Sequence, residues 1–195
     1  MLRLLARFLG MVLSGCMQKS NKKIRNATEC KSGNITFKSQ LEKSIYNTLQ
    51  QLGFDVKYEP ETHMLWDSFT PITPFYDKES DAQHTKRVNE GAKVKSRLLV
   101  PKTGKIIGIR YTPDFYFKYK DLDVYIEAKG IENDVFYIKK KMFRKYLDDK
   151  HTNTKQHSIF FEIYTKAQLL QAVEIIKEYA ESLQRDKQEN KLSSS

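Results

Sequence analysis

Three residues in the middle of the chain have the types and spacing that metal-dependent phosphate chemistry requires. Asp114 follows Pro113, and Glu127 and Lys129 stand two residues apart a little further along the chain. Carboxylate oxygens suit hard cations such as Mg²⁺ or Mn²⁺, and a neighbouring ammonium group can offset charge that develops on a phosphate. The Pro-Asp…Glu-x-Lys pattern therefore predicts a cation site suited to the hydrolysis of phosphodiesters.

Two strand-like segments, joined by a polar turn at Lys120–Asp121, position these residues. If the segments pair antiparallel about that turn, Phe115 faces Ile126 on a wholly apolar face, and Asp114 faces Glu127 on the other. Opposed carboxylates destabilise a sheet unless something neutralises them, and a divalent cation would do so. A hairpin with a merely charged outer face is the alternative, and it would suffice to explain an isolated Glu-x-Lys.

The composition favours a polyanionic partner. The chain has 195 residues, with 34 Lys and Arg against 24 Asp and Glu, a formal net charge of +10 and a pI near 9.4. Nucleic acid is the leading candidate, although the charge alone also fits a ribosome-associated or membrane-surface protein. Cys16 and Cys30 form no CxxC, and the four histidines are scattered, so neither a disulfide framework nor a zinc site is indicated.

The N-terminal segment supports more than one interpretation. Leu13–Cys16 resembles the cleavage site of a bacterial lipoprotein, which would make Cys16 a lipid anchor. Arg7 interrupts the apolar stretch before it, and the residues after it are rich in lysine. An amphipathic or disordered leader, or a true start at Met17, would explain the same residues. We expect a cytoplasmic protein without a membrane partner.

Periodicity predicts one α/β domain with a mixed sheet flanked by helices. We expect an apolar leader and basic flexible arm at 1–30, a domain at 31–185 and a polar tail at 186–195. The predicted elements are helices at 39–52, 134–147 and 166–183, strands at 54–58 and 158–164, a hairpin formed by 97–100 and 105–109, and a long irregular insertion at 59–95. The insertion is too long for a plain connector and is expected to be a functional loop or a flexible segment.

Two further features have both a structural and a functional interpretation. Ser39 and Glu42 fit a capping box, in which the glutamate only caps a helix, although a carboxylate near a helix start could also face the sheet. The helix after Lys129 is rich in cations that could either be solvated or contact phosphates flanking the cleaved bond. These cations are Lys139, Lys140, Lys141, Arg144 and Lys145.

Several segments resemble phage endonuclease I, a Holliday-junction resolvase family in the PD-(D/E)xK nuclease superfamily. In order along the chain these segments are Phe37–Glu42, Leu52-Gly53, Tyr58-Glu59, Tyr111–Phe115 and Ile126–Gly130. The portion after Gly130, especially Ile138–Phe143, is more similar to a less characterised group of phage nuclease-like proteins in the same superfamily.

The resemblance implies a restriction-endonuclease-like fold and Mg²⁺- or Mn²⁺-dependent cleavage of branched DNA, without a small-molecule cofactor. It implies that Glu42, Asp114 and Glu127 are acidic catalytic and metal-binding residues and that Lys129 is the catalytic lysine. The backbone carbonyl of Ala128 would join the metal ligands. A homodimer would suit a two-fold junction. The rival functions are a non-catalytic DNA-binding protein on the same fold and a membrane-anchored lipoprotein.

Overall fold

The computed structural model describes residues 29–130 and 134–193. The apolar leader and the Leu13–Cys16 segment therefore lie outside the described residues. In chain order the elements are β1 (Cys30–Ser32), β2 (Ile35–Phe37), α1 (Gln40–Gln51), β3 (Lys57–Tyr58), β4 (His63–Trp66), β5 (Tyr76–Lys78), α2 (Asp81–Asn89), β6 (Leu99–Pro101), β7 (Ile109–Tyr111), β8 (Phe115–Tyr119), β9 (Leu122–Ala128), α3 (Asp134–Thr154), β10 (His157–Ile163) and α4 (Lys166–Ser193).

A four-stranded mixed sheet in the order β10-β9-β8-β3 forms the centre of the fold. Strand β9 pairs parallel with β10 and antiparallel with β8, and β3 pairs antiparallel with β8. The chain returns from β9 to β10 through α3, which is the long crossover that a parallel pair requires. The prediction of a mixed α/β fold is confirmed.

The β8–β9 hairpin has the register predicted from the sequence. Phe115 pairs with Ile126, and the strands are joined by the two residues Lys120–Asp121. Lys120 has a φ of 53°, which is the backbone conformation that a tight two-residue hairpin turn demands. Because a slip of one residue would turn every side chain to the opposite face, the apolar pattern and the turn together determine this register.

The first face of the sheet packs against α1 and α4. Buried Phe115 and Ile126 lie there against Ile45 and Leu49 of α1 and the inward side of α4. The α4 contribution consists of Leu169, Ala172, Val173, Ile176, Ala180 and Leu183. This side supplies the main hydrophobic core, and it holds the hairpin that carries the candidate site.

The second face of the sheet is covered by α3 and the β4–β7 pair. A smaller aromatic cluster fills the space between them, formed by Tyr111, Tyr125, Phe136, Phe143 and Leu147. Every residue of β9 before Ala128 is consequently buried, including the polar ones that face this side. The face that carries Asp114 and Glu127 is therefore an interior face and not the solvated outer side of a hairpin.

The inward face of α3 differs from the predicted one. The helical spacing predicts an inward stripe of Ile138, Met142 and Tyr146; Tyr146 does pack against the aromatic cluster, but Ile138 is 56% exposed. Phe136, Phe143 and Leu147 are the buried residues instead. The prediction failed because the true inward face also contains a lysine, Lys140, which an apolar pattern excludes.

The long insertion is more regular than predicted. Residues 59–95 contain β4, β5 and α2, and the segments expected to form a hairpin with each other pair with these strands instead. Strand β6 pairs with β5, and β7 pairs with β4. Spacing suggested a local turn at Pro101–Gly104, but each segment finds its partner further back along the chain.

Both ends of the described chain are more ordered in secondary structure than expected. Cys30, the last residue of the predicted flexible arm, begins the β1–β2 hairpin, which ends at Phe37. The residues predicted to be a polar tail continue α4 to Ser193, since polar residues with good helix propensity extend a helix without burying anything. Across the described residues, no helix combines the length and apolar character needed to span a membrane.

Candidate active site

Asp114 and Glu127 lie side by side at the end of the β8–β9 hairpin. Asp114 comes just before β8, and its Oδ2 accepts a hydrogen bond from the backbone N–H of Ala128 at 2.8 Å. That bond holds Asp114 opposite Glu127 across the hairpin. The predicted juxtaposition of the two carboxylates follows from the register and is present.

The electrostatics of the pair are unfavourable for two charged carboxylates. Burial, and after it the negative charge of Glu127, raises the pKa of Asp114 well above its ordinary range. The Ala128 amide and the Lys129 ammonium oppose this rise, and the charge of Glu42 adds to it. The charges of Glu127 and Glu42 thus both act on Asp114, and the sequence had suggested that these three acidic groups share one site.

Both oxygens of Glu127 have donors. The hydroxyl of Tyr111 donates to Oε2 at 2.6 Å, and the ammonium group of Lys129 donates to Oε1 at 2.7 Å. The Lys129 Nζ also lies 3.7 Å from the centre of the Phe136 ring. The glutamate and the ring therefore hold the lysine beside the carboxylates by an ion pair and a cation–π contact.

Glu42 serves as a helix cap and also lies next to the site. Ser39 is the N-cap of α1, and its Oγ accepts from the Glu42 amide at 3.2 Å. The Glu42 carboxylate does not bond back to the Ser39 amide, as a standard capping box would. It accepts instead from the amide of Lys38 at 3.0 Å, from the Ser39 hydroxyl at 2.8 Å and from the Tyr58 hydroxyl at 2.7 Å.

Asp114 and Glu127 would offer a divalent cation a site with two carboxylates. Among residues 29–130 and 134–193, no group of three or more His, Cys, Asp and Glu side chains could hold a metal ion. Mg²⁺, however, commonly uses one or two protein carboxylates and keeps several waters. Burial and, after it, repulsion from Glu127 raise the pKa of Asp114, and a bound cation would relieve the repulsion, so Asp114 and Glu127 fit the group.

A cleft of about 320 Å³ opens beside Glu127 and Lys129. Besides Lys129, its wall contains two further cations, Arg110 and Lys139, together with Thr112. Arg110 and Thr112 were not singled out in the sequence, because neither belongs to a motif. Their proximity to Tyr111, the residue that opens the Tyr-Thr-Pro-Asp segment, was the available signal.

The five cations of α3 are in different environments. Lys139 lines the cleft, whereas Lys141 lies over the ring of Tyr137 at 4.3 Å from its centre. Lys145 is exposed and paired with Asp149 one turn along the helix. The remaining two, Lys140 and Arg144, point towards an acidic residue of the sheet. The basic run is therefore not a uniform phosphate-binding face.

That acidic residue is Glu162, which sequence reasoning missed. It pairs in register with Glu127 on the adjacent parallel strand. Its carboxylate accepts from Lys140 at 2.8 Å and from Arg144 at 3.4 Å, and both side chains of the Lys140 pair are almost buried. The signal was a single acid within the apolar run Ile159–Ile163, which an ordinary core strand would not contain.

Comparisons of the chain with protein-family models, with curated proteins and with solved structures find no match. The case for a function therefore depends on the residues of this site and on their geometry.

Proposed function

We propose that this protein is a metal-dependent endodeoxyribonuclease of the PD-(D/E)xK type, with a restriction-endonuclease-like fold and a preference for branched DNA. The observation that carries the proposal is the grouping of Asp114, Glu127 and the Lys129 ammonium beside a cationic cleft. Opposed carboxylates would repel a phosphate chain, so a protein that only bound DNA would gain nothing from them. A cation-dependent nuclease needs them.

The roles of the chain's own groups follow from their positions. Asp114, Glu127 and the Ala128 carbonyl would hold Mg²⁺ or Mn²⁺, with Glu42 orienting or completing that arrangement. The cation, when bound, supplies Lewis acidity and a more acidic bound water. Lys129 would position the attacking water and offset the charge that develops at phosphorus.

The surrounding residues prepare the site for the substrate. Tyr111 holds one oxygen of Glu127 and so fixes the plane of that carboxylate. Arg110 and Lys139 would contact phosphates that enter the cleft beside Glu127. Nothing among these groups is suited to reading base edges, so recognition by DNA shape is the expected mode.

The rival function is a DNA-binding protein without catalysis, and one observation favours it. Both oxygens of Glu127 and both oxygens of Glu42 already accept hydrogen bonds from protein donors. Each oxygen of Glu127 already uses one of its two lone pairs, and the Lys129 ammonium group would repel a cation that approached the other. The two functions therefore differ in whether the Lys129–Glu127 pair opens when a divalent cation is present.

Cleavage assays on two labelled substrates would test the proposal. A four-way junction and a linear duplex of the same sequence would be incubated with Mg²⁺, Mn²⁺ or EDTA. Asp114→Asn and Lys129→Met should each reduce cleavage by about 100-fold or more. Asp55→Asn is the matched control, because Asp55 is an exposed acid that has no part in the proposed site.

The outcomes separate the alternatives. Metal-dependent cutting of the junction alone, lost in both variants, supports a structure-selective nuclease. Equal cutting of junction and duplex supports nuclease activity but contradicts a preference for branched DNA. Protein that binds DNA but does not cut it with either metal contradicts the enzyme and leaves the binding function.

A further inference from the structure

Residues 67–107 form an arm that extends from the edge of the candidate site. Strands β4 and β7 pair at its base, Phe69 and Ile106 form a bridge further along, and β5 pairs with β6 beyond it. The two sides of the insertion therefore run as one antiparallel ribbon, which α2 closes at the far end. The β4–β7 pair at its base includes Tyr111, which donates a hydrogen bond to Glu127 of the candidate site.

The end of the arm is held together by a network of hydrogen bonds around Glu79. Glu79 is 2% exposed, and its carboxylate accepts from Arg87 at 2.6 and 3.0 Å. The Glu79 Oε1 also lies 2.8 Å from Nδ1 of His84. Hydrogen bonding to Arg87 lowers the pKa of Glu79 to about 2, so the group remains ionised in ordinary buffers. Such a network fixes the position of α2 against the ribbon.

The arm exposes aromatic and aliphatic side chains that a monomer would normally bury. Phe75 and Tyr76 are 47% and 59% exposed, and Ile72 is 98% exposed. Trp66 and Phe69, at the base, form an edge-to-face pair with their rings 5.1 Å apart, and both are partly open to solvent. Exposed apolar groups gathered in this way commonly mark a binding surface.

The returning side of the arm, together with the β7 strand that follows it, is rich in cations. No acidic residue occurs from Gly91 to Pro113, whereas that stretch contains six Lys or Arg residues. Arg97 is engaged by Asp81. Within the part of the chain that the structure describes, the other five have no ion-pair partner; they are Lys93, Lys95, Lys102, Lys105 and Arg110. Arg110 belongs to the wall of the active-site cleft, so the cationic path leads there.

A second cleft contains both aromatic side chains and a cation. It has a volume of about 300 Å³ and is lined by residues 71–76 on one side and 101–103 on the other. Phe75, Tyr76 and Lys102 are all part of this wall, and no acidic side chain is. Ligand pockets begin at about this size, and stacking rings beside a cation match an unpaired base and its phosphate.

We propose that the arm binds a single DNA strand whose bases are unpaired. The bases would stack on Phe75 and Tyr76, while Lys93, Lys95, Lys102 and Lys105 contact the phosphates. Paired bases are already stacked in a duplex and could not use the rings in this way, so the charge and the rings together favour an unpaired strand over a duplex. The inference rests on the proposed function for the identity of the polymer, and it names the feature of branched DNA that the arm would recognise.

Binding measured without cleavage would test the arm separately from the active site. Full-length protein would be titrated in EDTA against a fluorescent single strand of about 20 nucleotides and against the duplex of the same sequence, with anisotropy as the readout. The variants are Phe75→Ala/Tyr76→Ala and Lys102→Ala/Lys105→Ala. Lys166→Ala/Arg185→Ala is the matched control, since it removes two exposed cations from α4, on the opposite face of the sheet.

Three results are expected. The aromatic variant should bind the single strand roughly tenfold or more weakly, with a change of less than about threefold for the duplex. The lysine variant should lower the slope of log affinity against log salt by about 1 to 1.5 on the single strand. The α4 control should stay within about twofold of the unsubstituted protein. Circular dichroism should be the same for all, because every substituted side chain is exposed or only partly buried.

The proposal would be overturned if the aromatic variant bound the single strand as tightly as the unsubstituted protein. Equal losses on single strand and duplex would also contradict it, because they would indicate charge attraction without base stacking. If the aromatic variant kept its DNA affinity but lost self-association in sedimentation, the surface would be a protein-docking site instead. If the arm variants cut DNA as well as the unsubstituted protein, only the proposed role of the arm would be refuted. If the protein binds the single strand normally but does not cut DNA, only the proposed nuclease activity would be refuted.

Discussion

Replacing Asp114 with asparagine should stabilise the metal-free protein, and the gain should grow with pH. The pKa of Asp114 is raised in the folded state from an ordinary value of 3.8, first by burial and then by the charge of Glu127. In the unfolded chain the group ionises near its ordinary value. As pH rises above about 4, the folded state therefore binds more protons than the unfolded state, and the free energy of unfolding decreases.

The size of the effect follows from the same linkage. Each unit by which the pKa is raised corresponds to about 1.4 kcal/mol once the pH exceeds both values. The asparagine side chain would keep an oxygen to accept the Ala128 amide, so the isosteric change removes the charge and little else. Allowing for partial exposure of the carboxylate, we expect a gain of about 1–3 kcal/mol near pH 8 and almost none near pH 4. For a chain of this size that is a rise in Tm of roughly 3–10 °C.

Thermal unfolding of both proteins in EDTA, followed at several pH values, measures this difference directly. Adding Mg²⁺ should raise the Tm of the unsubstituted protein and leave Asp114→Asn nearly unchanged, because a ligand stabilises only the state that binds it. Asp55→Asn, at an exposed acid, should shift neither curve. A Tm difference that does not increase with pH, or a loss of stability at both ends of the range, would refute the raised pKa of Asp114.

Two further predictions concern the base of the arm and a buried histidine. Gly108→Ala should cost about 1–3 kcal/mol and expose the arm to limited proteolysis, because its Cβ would lie 2.4 Å from the carbonyl oxygen of Trp66. Gly104→Ala, with open space around it, is the control, and equal behaviour of the two would contradict the close approach. His63 is buried, and burial lowers its pKa, so its contribution to stability should be present above pH 6.5 and lost as the pH falls below it. His63→Phe should flatten the pH dependence of Tm in that interval, and an unchanged slope would assign the acid sensitivity to other groups.

Those parts of the fold that depend on neighbouring residues could be predicted from the sequence. The register of β8 and β9 follows from alternation and a two-residue turn, and it places Asp114 beside Glu127. Helix α1 begins after Ser39 and ends before Gly53, whose φ of 84° suits glycine, as the cap residues indicated. In each case the determining interaction lies within about twenty residues of the chain.

What could not be predicted depends on long-range pairing. The ribbon joins Tyr76–Lys78 to Leu99–Pro101 across α2, and no local pattern specifies that partner. Likewise the parallel pairing of β9 with β10 sets Glu162 beside Glu127, although the whole of α3 lies between them in the sequence. An acid in a buried strand looks unfavourable by itself, and it is understood only when Lys140 is found opposite it.

Lys129 and Lys140, two lysines that pair with acidic residues of the sheet, are suited to different roles. Lys140 and Glu162 are each almost buried and pair with each other, and Arg144 brings a second cation to Glu162, so these contacts join α3 to β10. Lys129 is also paired, but its partner Glu127 has a second donor in Tyr111 and borders the open cleft. Glu127 can therefore release the lysine without being left unsatisfied, and an incoming phosphate could take up the ammonium group. Lys129 is suited to an exchange of partners, whereas Lys140 is suited to fixing α3 against the sheet.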